Sequence, residues 1–575
     1  MPEATATRQR VPRRAPDPTQ QQLIALRQHV DNMLGGLRTE RYSWWTHWRE
    51  LADYLLPRRY KWLITPNQGN RGSPINQRII DSTGTIAARV LAAGLLSGMT
   101  SPTSIWFRMM IDDADLAEYW SVKAWLDEVA RRMRSVLAES NFYNTLATMY
   151  GDLGIFGTAP MLIYEDFENV INCFNTCAGE YYLANGARGN VDTFYREFVQ
   201  TTMQVVEQFG MENCSPTVQQ AVKTGGAGRS REIIVCHAIE PNDRYVDGLP
   251  GLGGMMYREV YWEYGSTKER ILRVRGYHEV PFVAPRWDVV GNDAYGRSPG
   301  MDALGDVKQL QVEQKRKAQA IDKMVNPPLI ADVALKNEPA SVLPGGVTYV
   351  PQVANGVGFK PAYEVKPDLQ HMVADIQEVQ QRIKVTFFND LFQMWAQMEG
   401  VQPRNELEIM ERKGEKLIQI GSVIERFGVE ALDPALTRVY NCMLRAGLIP
   451  TPPAELRGQH VKVEYVSMLA QAQKATMTTG IEQFASFVGR VGAAVPEAMD
   501  NADWDEMVQQ YADYLGVSPK AVRPFADVLK IRAARAEQKQ AEMMAQATAS
   551  TIGAGKVLSE TDVGGGQNAL QMMLG

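Results

Sequence analysis

The side chains that could carry chemistry are few, and their spacing serves it poorly. Six histidines are spread over 575 residues. Among them His47 lies inside a tryptophan-rich helical stretch and is better explained as a packed polar residue than as an acid–base group. Gly553-Ala-Gly-Lys556 is the nearest approach to a phosphate loop. It lacks the first glycine of the GxxxxGK pattern, and Val557 stands where a Ser or Thr would hold magnesium. Cys173, Cys177 and the pair Cys236-His237 could make a zinc site on paper, but their spacing fits no standard ligand pair. Asp112-Asp113 could bind a hard cation, and a turn after Trp106-Phe107 explains them equally well. No HExxH or GxSxG occurs. The expectation is a protein that is no enzyme and takes no cofactor and no metal.

Composition bounds the alternatives. The chain is too long for a single core and should hold two to four structural units. Apolar content is 45%, charged content 22%, and the formal charge is -6, which is ordinary for a soluble globular protein. That balance is not that of a protein gripping DNA through many phosphates. A protein that lets nucleic acid slide past would avoid such a grip, so DNA stays open as a partner. Five cysteines, an odd number, read as reduced thiols. The arginine-rich start has no apolar core of a signal peptide. The longest apolar run, Val90 to Met99, is half of what a membrane span needs.

The elements that would position any site are mostly helices. Residues 1–17 read as a disordered basic arm. Leu23, Leu26, Val30, Leu34 and Leu37 mark an amphipathic helix that Gly35-Gly36 should weaken by about 1 kcal/mol per glycine. Trp44, Trp45 and Trp48 follow on a second helix ended by Pro57. Beside Arg49, Arg58 and Arg59 they could stack bases, although helix-spaced aromatics are more often packing anchors. Asp81-Ser-Thr-Gly84 opens a small-residue helix to Met99, by capping or, less simply, as a phosphate site. Further helices are expected at Val122 to Leu137 and Thr145 to Ile155. Strands with period-two alternation are expected between Met161 and Ala284, with a short helix at Thr202 to Phe209 and a surface loop at Lys223 to Ser230.

Two rods dominate the centre of the chain. Ser298-Pro299 is an N-cap and first-turn proline, and the helix it opens carries Leu304, Val307, Leu310 and Ile321 at helical spacing until Asn326-Pro327-Pro328 stops it. The second rod carries Ile376, Ile383, Phe387 and Leu391 on one face. Between them, proline and glycine punctuation predicts a small β-containing insert. After them come a loop rich in large side chains, a helix capped by Asn405 with Glu408, helices near 431–446, 468–488, 504–515 and 524–544, a strand at 461–466 and a glycine-rich tail. The narrow stripes on the rods need each other, the rest of the chain, or further copies of it.

The order of several short motifs is similar to one family. Trp48-Arg-Glu-Leu-Ala-Asp-Tyr-Leu-Leu-Pro-Arg-Arg59, Asn76-Gln-Arg-Ile-Ile-Asp-Ser-Thr-Gly-Thr85 and Leu91-Ala-Ala-Gly-Leu-Leu-Ser-Gly-Met-Thr-Ser-Pro102 come first, with Trp106-Phe107 closing this group. Then come Ser140-Asn-Phe-Tyr143, Ile155-Phe-Gly-Thr158, Gly179-Glu-Tyr-Tyr-Leu183, Val280-Pro-Phe282, Arg286-Trp287 and Tyr295-Gly-Arg-Ser-Pro299. Over roughly 260 residues they resemble the head-to-tail connector, or portal protein, of T7-type podoviruses.

The resemblance implies an α+β, mainly helical subunit that assembles as a ring, usually of twelve copies. The ring would sit at the capsid portal vertex of a virion made in the host bacterial cytoplasm. Double-stranded DNA would pass through its channel during packaging and ejection. The other partners implied are a terminase, tail adaptor or nozzle, capsid and internal core proteins, with no membrane insertion. The implied parts are a wing at 18–297, stem helices at 298–326 and 368–391 around a clip at 327–367, and a tunnel loop at 392–404. A long wing helix at 405–431, a helical crown at 432–550 and a flexible tail at 551–575 complete it. Gln393, Met394, Trp395, Met398, Glu399 and Arg404 would then face DNA, or pack against the third helix. Lys308, Lys315, Arg316, Lys317 and Lys323 would touch phosphates lightly, form salt bridges between subunits, or simply make a solvated face. Leu304, Val307, Leu310, Ile321, Ile376, Ile383 and Phe387 would lie between subunits. The competing reading is a helical scaffold or adaptor of a large assembly without a DNA channel.

Overall fold

A computed structural model describes residues 20–57, 59, 78–113, 116, 119–267, 270–325, 329–330, 360–361, 369–396, 420–456, 461–465, 468–493, 495–515, 517, 521–523 and 525–560. In chain order its helices are α1 (Gln20–Tyr54), α2 (Thr83–Met99), α3 (Trp120–Glu139), α4 (Phe142–Phe156), α5 (Thr202–Phe209) and α6 (Pro216–Thr224). They continue with α7 (Pro299–Val325), α8 (Leu369–Thr386), α9 (Asn389–Ala396), α10 (420–445), α11 (Met468–Gly492), α12 (Trp504–Leu515) and α13 (Phe525–Glu560). The strands are β1 (Phe107–Ile111), β2 (Met161–Asp166), β3 (Val170–Asn175), β4 (Tyr181–Asn185), β5 (Val191–Thr201) and β6 (Glu232–Pro241). After them come β7 (Tyr257–Glu263), β8 (Arg273–Tyr277), β9 (Phe282–Val283), β10 (Leu329–Ile330), β11 (Lys360–Pro361) and β12 (Val461–Tyr465). The class is α+β with helix predominant.

The main sheet is antiparallel in the order β4-β5-β6-β7-β8, and its period-two alternation feeds two cores. Tyr182, Tyr195, Cys236, Ala238, Val260 and Trp262 meet Val30, Leu34 and Leu37 of α1 on one face. Val235, Tyr261 and Leu272 meet Val205, Phe209 and Val218 of α5 and α6 on the other. This packing explains why α1 runs unbroken for 35 residues through Gly35-Gly36, contrary to the expectation of two helices. Leu34 and Leu37 bracket the glycines and dock on the sheet, and burial of that face outweighs the propensity loss. A second sheet, β3-β2-β9, lies under α4 and α10. Lys223 to Ser230, expected as a loop, holds the end of α6 and a 3₁₀ turn at Gly226–Gly228.

α10 is continuous across a π-helical turn at Gly428–Leu432, so the boundary expected at 431/432 falls inside one helix. Such turns are rare and are found frequently at functional sites. Beyond it, Arg438 is buried, donating to the Ile163 carbonyl at 3.3 Å and pairing with Glu279. Arg445 bridges Glu279 at 2.7 Å and also pairs with Glu165.

The chain divides into two compact units. The first takes its described residues from Met1–Arg108, Arg131–Ile449 and Val463–Leu469, the second from Met109–Ala130, Pro450–Lys462 and Ala470–Gly575. Two expected boundaries therefore move. Residues 109–130 leave the span expected as wing, and 432–449 leave the span expected as crown because α10 carries them into the first unit. Inside the second unit the Trp125 indole donates to the Pro450 carbonyl at 3.0 Å, and Arg532 grips Asp505 through two 2.6 Å bonds. α13 spans 36 residues to Glu560, further than the tail expected from 551 allowed. Its described side chains are exposed nearly throughout.

Candidate functional site

The motifs scattered over the first 300 residues meet at the root of α7. Ser298 is fully buried; its hydroxyl donates to the Ile155 carbonyl at 2.6 Å and accepts the Met301 amide at 3.1 Å. Gly300 lies so close to α4 that a Cβ would stand 2.9 Å from the Ile155 Cα. Gly157, with φ 76, ends α4, and its carbonyl would be 2.3 Å from a Cβ on Gly296. The Gly296 amide donates to the Thr158 hydroxyl at 2.7 Å. Only glycine allows two backbones this approach.

Arg286 closes the same corner. Its guanidinium is buried, pairs with Glu430 of the π turn at 2.6 Å, and donates to the carbonyls of Asp293 and Gly189 at 2.9 Å. Its own amide donates to Glu430 at 2.9 Å. The Trp287 carbonyl accepts Arg426 at 3.0 Å. Tyr295 stands among Trp44, Trp48 and Tyr181, with ring centroids 5.2–6.4 Å away, and its hydroxyl accepts the Leu183 amide at 3.1 Å. Trp48 is buried in this cluster, where it anchors packing. Arg59 pairs with the buried Asp152 at 2.9 Å, and Arg58 lies outside the described residues.

A second device ties α7 to α8. The Asp81 carboxylate, just before α2, accepts Gln314 of α7 at 2.9 Å and Gln380 of α8 at 2.8 Å. Its other oxygen accepts the Thr83 amide at 2.8 Å and the Thr83 hydroxyl at 2.5 Å. Gln311 completes the clasp, accepting the Ile80 and Asp81 amides at 2.6 and 2.8 Å and donating to the Asp81 carbonyl at 3.0 Å. Burial pushes the Asp81 carboxyl up, but the hydrogen bonds from Thr83, Gln380 and Gln314 outweigh it and hold the group below its ordinary 3.8. The start of α2 is thus occupied by the chain's own carboxylate, which leaves no phosphate site there.

The small residues of α2 receive the far end of the second rod. A Cβ on Gly94 would fall 2.1 Å from the Phe392 ring, and one on Gly84 3.0 Å from Val307. That rod is not continuous to Leu391, as the sequence predicts. α8 ends at Thr386, Phe388 takes φ 56, and α9 then runs to Ala396. Gln393, Met394 and Trp395 are therefore helical and not part of a loop. Met398, Glu399 and Arg404 lie outside the described residues, as do most of the clip and the helix start at Asn405. Of the clip, Leu329-Ile330 and Lys360-Pro361 form an antiparallel pair.

The rods have two unlike halves. In the proximal half Leu304, Val307, Leu310, Ile376, Ile383 and Phe387 are buried within the single chain, where α7 meets α1, α2 and α4 and α8 meets α2. This corrects the expectation that neighbouring subunits finish their stripe. Ile321 differs: it is 40% exposed, with Met324 at 46% and Val325 at 80% beyond it. The charges divide likewise. Lys308 pairs with Glu50 at 2.8 Å and lies 5.8 Å from the Tyr54 ring centre. Lys315, Arg316 and Lys323 are exposed, Lys317 is half-buried, and none pairs with another described residue.

Among the described residues no group of three or more His, Cys, Asp or Glu is arranged to hold a metal. His237 is buried between Arg196, which donates to Nδ1 at 3.1 Å, and Glu259, 3.0 Å from Nε2. Burial pushes its pKa down to about 4, so it is a neutral link across three strands. Burial pushes the Cys173 thiol up to about 12. Among the described residues no helix is long and apolar enough to cross a membrane. Glu430, Gln311, Gln314 and Gln380 escaped the sequence reading, since a polar residue on an amphipathic helix looks like a solvated one.

Residues 27–522 match the family described as bacteriophage head to tail connecting protein. The chain is 44% identical over 512 residues to the probable portal protein of Bordetella phage BPP-1, covering 89% of this chain and 91% of that one. It is 42% identical over 532 residues to the portal protein of Salmonella phage epsilon15, covering 92% and 94%. A solved structure described as "Neck of empty GTA particle computed with C6 symmetry" aligns over 76% of this chain and 89% of its own, at 12% identity and a TM-score of 0.30. The chain belongs to the bacteriophage head-to-tail connecting protein family.

Proposed function

We propose that this chain is a phage portal subunit, placed at a capsid vertex, whose copies close into a ring around a channel for double-stranded DNA. What carries the reading is that two relatives, alike over about nine tenths of both lengths, are named portal proteins. The geometry supplies a mechanism. The root of α7 is welded to α4 and α10, so the rod is rigidly held. Its distal half presents apolar Ile321, Met324 and Val325 together with four cations, Lys315, Arg316, Lys317 and Lys323. Copies related by rotation would bury the apolar residues in a repeated heterologous interface. The cations would then meet passing phosphates in weak, salt-sensitive contacts, or meet carboxylates of the next subunit. The ring would dock a terminase on one side and tail proteins on the other, and the subunit itself would catalyse nothing.

Negative-stain images of the purified protein test this. The expected particle is a closed ring with a central hole at least as wide as a DNA duplex, and no ATP turnover. A solid or open assembly supports the scaffold reading, and a monomer that hydrolyses ATP overturns both. Deleting Gln393 to Gln402 should leave rings intact and impair DNA retention or translocation; lost assembly would mean that the segment packs within the particle.

A further inference from the structure

The β2–β3 hairpin turns through Phe167-Glu168-Asn169, and Phe167 is fully exposed at its tip. A single exposed hydrophobe asks for no explanation by itself. Here the backbone adds one. Val170, the residue that returns the chain into β3, has φ 67, a conformation that β-branched side chains adopt only under constraint. The register Asp166↔Val170 and the Asn169 amide donating to the Asp166 carboxylate at 3.3 Å fix it there. The hairpin thus holds a phenyl ring in solvent, flanked by Asp166 and Glu168, while the neighbouring Glu165 is already engaged by Arg445.

The first unit also carries a receptor of matching chemistry. A cleft of about 320 Å³ opens between the start of α1, the loop after β6, and strands β7 and β8. That is the low end of the roughly 300–1,000 Å³ of ligand pockets, room for a large side chain rather than a cofactor. Leu23, Leu26 and Val274 give it apolar walls, and its polar rim carries His29, Asp243, Arg244 and Arg258, of which Arg244 offers a cation to an incoming carboxylate. Arg258 is satisfied by Glu240 and by Asp243, which also lines the cleft, at 2.6 and 2.5 Å. His29 lies 3.2 Å from Glu240. Arg244 is exposed and pairs with no other described residue.

We propose that the Phe167 tip of one copy seats in this cleft of a second copy, with Glu168 facing Arg244. Tip and cleft are different parts of one surface, so the contact is heterologous and every copy both gives and receives one. It rests on the ring reading for its closure, and it adds a wing-to-wing latch distinct from the rods.

The test mixes two variants that each add one cysteine to the native five, Phe167→Cys and Gln22→Cys, lets them co-assemble, and oxidises them mildly. A disulfide-linked dimer in the mixture, absent from either variant alone, is the expected result. Rings without that dimer overturn the latch and leave the portal reading standing. A dimer without rings keeps the contact and removes the ring. As a second readout, Phe167→Ala and Glu168→Arg should each raise the concentration needed for half-assembly by about tenfold, with Arg244→Glu restoring the latter. Unchanged assembly in both overturns the proposal. Both side chains are exposed, so an unchanged melting temperature will show that folding is intact.

Discussion

The proximal and distal halves of α7 share one helix and one amphipathic pattern, yet they are built on opposite principles. Near Ser298 the helix is fixed by buried hydrogen bonds, glycine contacts and the Arg286–Glu430 pair. Beyond Gln311 its side chains lie mostly in solvent, with cations that no described residue pairs. The first half commits the rod to one position in its own chain. The second is left for something outside it. A rod that carried only one kind of half would be either an ordinary core helix or an unanchored one.

Breaking the root should have the largest effect. Arg286→Ala strands Glu430 in a buried site and should remove about 3–5 kcal/mol of stability, measured by denaturant unfolding. Next comes close packing: Gly94→Leu drives a side chain into the Phe392 ring and should cost about 1–3 kcal/mol. The clasp should matter less. Asp81→Asn loses acceptor strength toward Gln314, Gln380 and Thr83, at about 1 kcal/mol. Asp81 also gives the clasp a pH dependence. Its folded pKa lies below the ordinary 3.8, so its contribution is complete above that value and lost as pH falls through the folded value. The Asn variant should lack that part of the acid limb. Smallest for stability is the distal half. Replacing Lys315, Arg316 and Lys323 by Gln should change unfolding by no more than about 0.5 kcal/mol each. It should nonetheless flatten the salt dependence of DNA retention in assembled particles. A large stability loss there would erase the contrast between the halves.

Much of the fold is legible in the sequence, and the exceptions have physical causes. Ser298-Pro299 announces the start of α7 because capping is local chemistry. The motif order announces the family. The break at Phe388 is hidden: neither glycine nor proline marks it, and Phe387 and Leu391 keep the helical spacing across it. Gly35-Gly36 misleads in the other direction, since propensity is local and the sheet that holds α1 straight lies about 150 residues away. Glu430 is invisible because its partner is 144 residues distant and a π turn has no sequence signature. The proximal stripe looks unfinished because nothing in a single stripe says which helix will cover it.

In a closed ring the distal half of α7 would be completed by neighbouring copies. The alkylation rate of Ile321→Cys reads this out, because Cys173, Cys214, Cys236 and Cys442 are buried and burial pushes the half-buried Cys177 thiol up to about 11, so the native thiols give little background. In the isolated chain the introduced thiol should react as an exposed one. In the assembled particle the expected rate is as slow as that of the buried cysteines, and Lys315→Cys, if its side chain meets passing phosphates as proposed, should stay reactive until DNA fills the particle. Equal rates for Ile321→Cys in both states would contradict it.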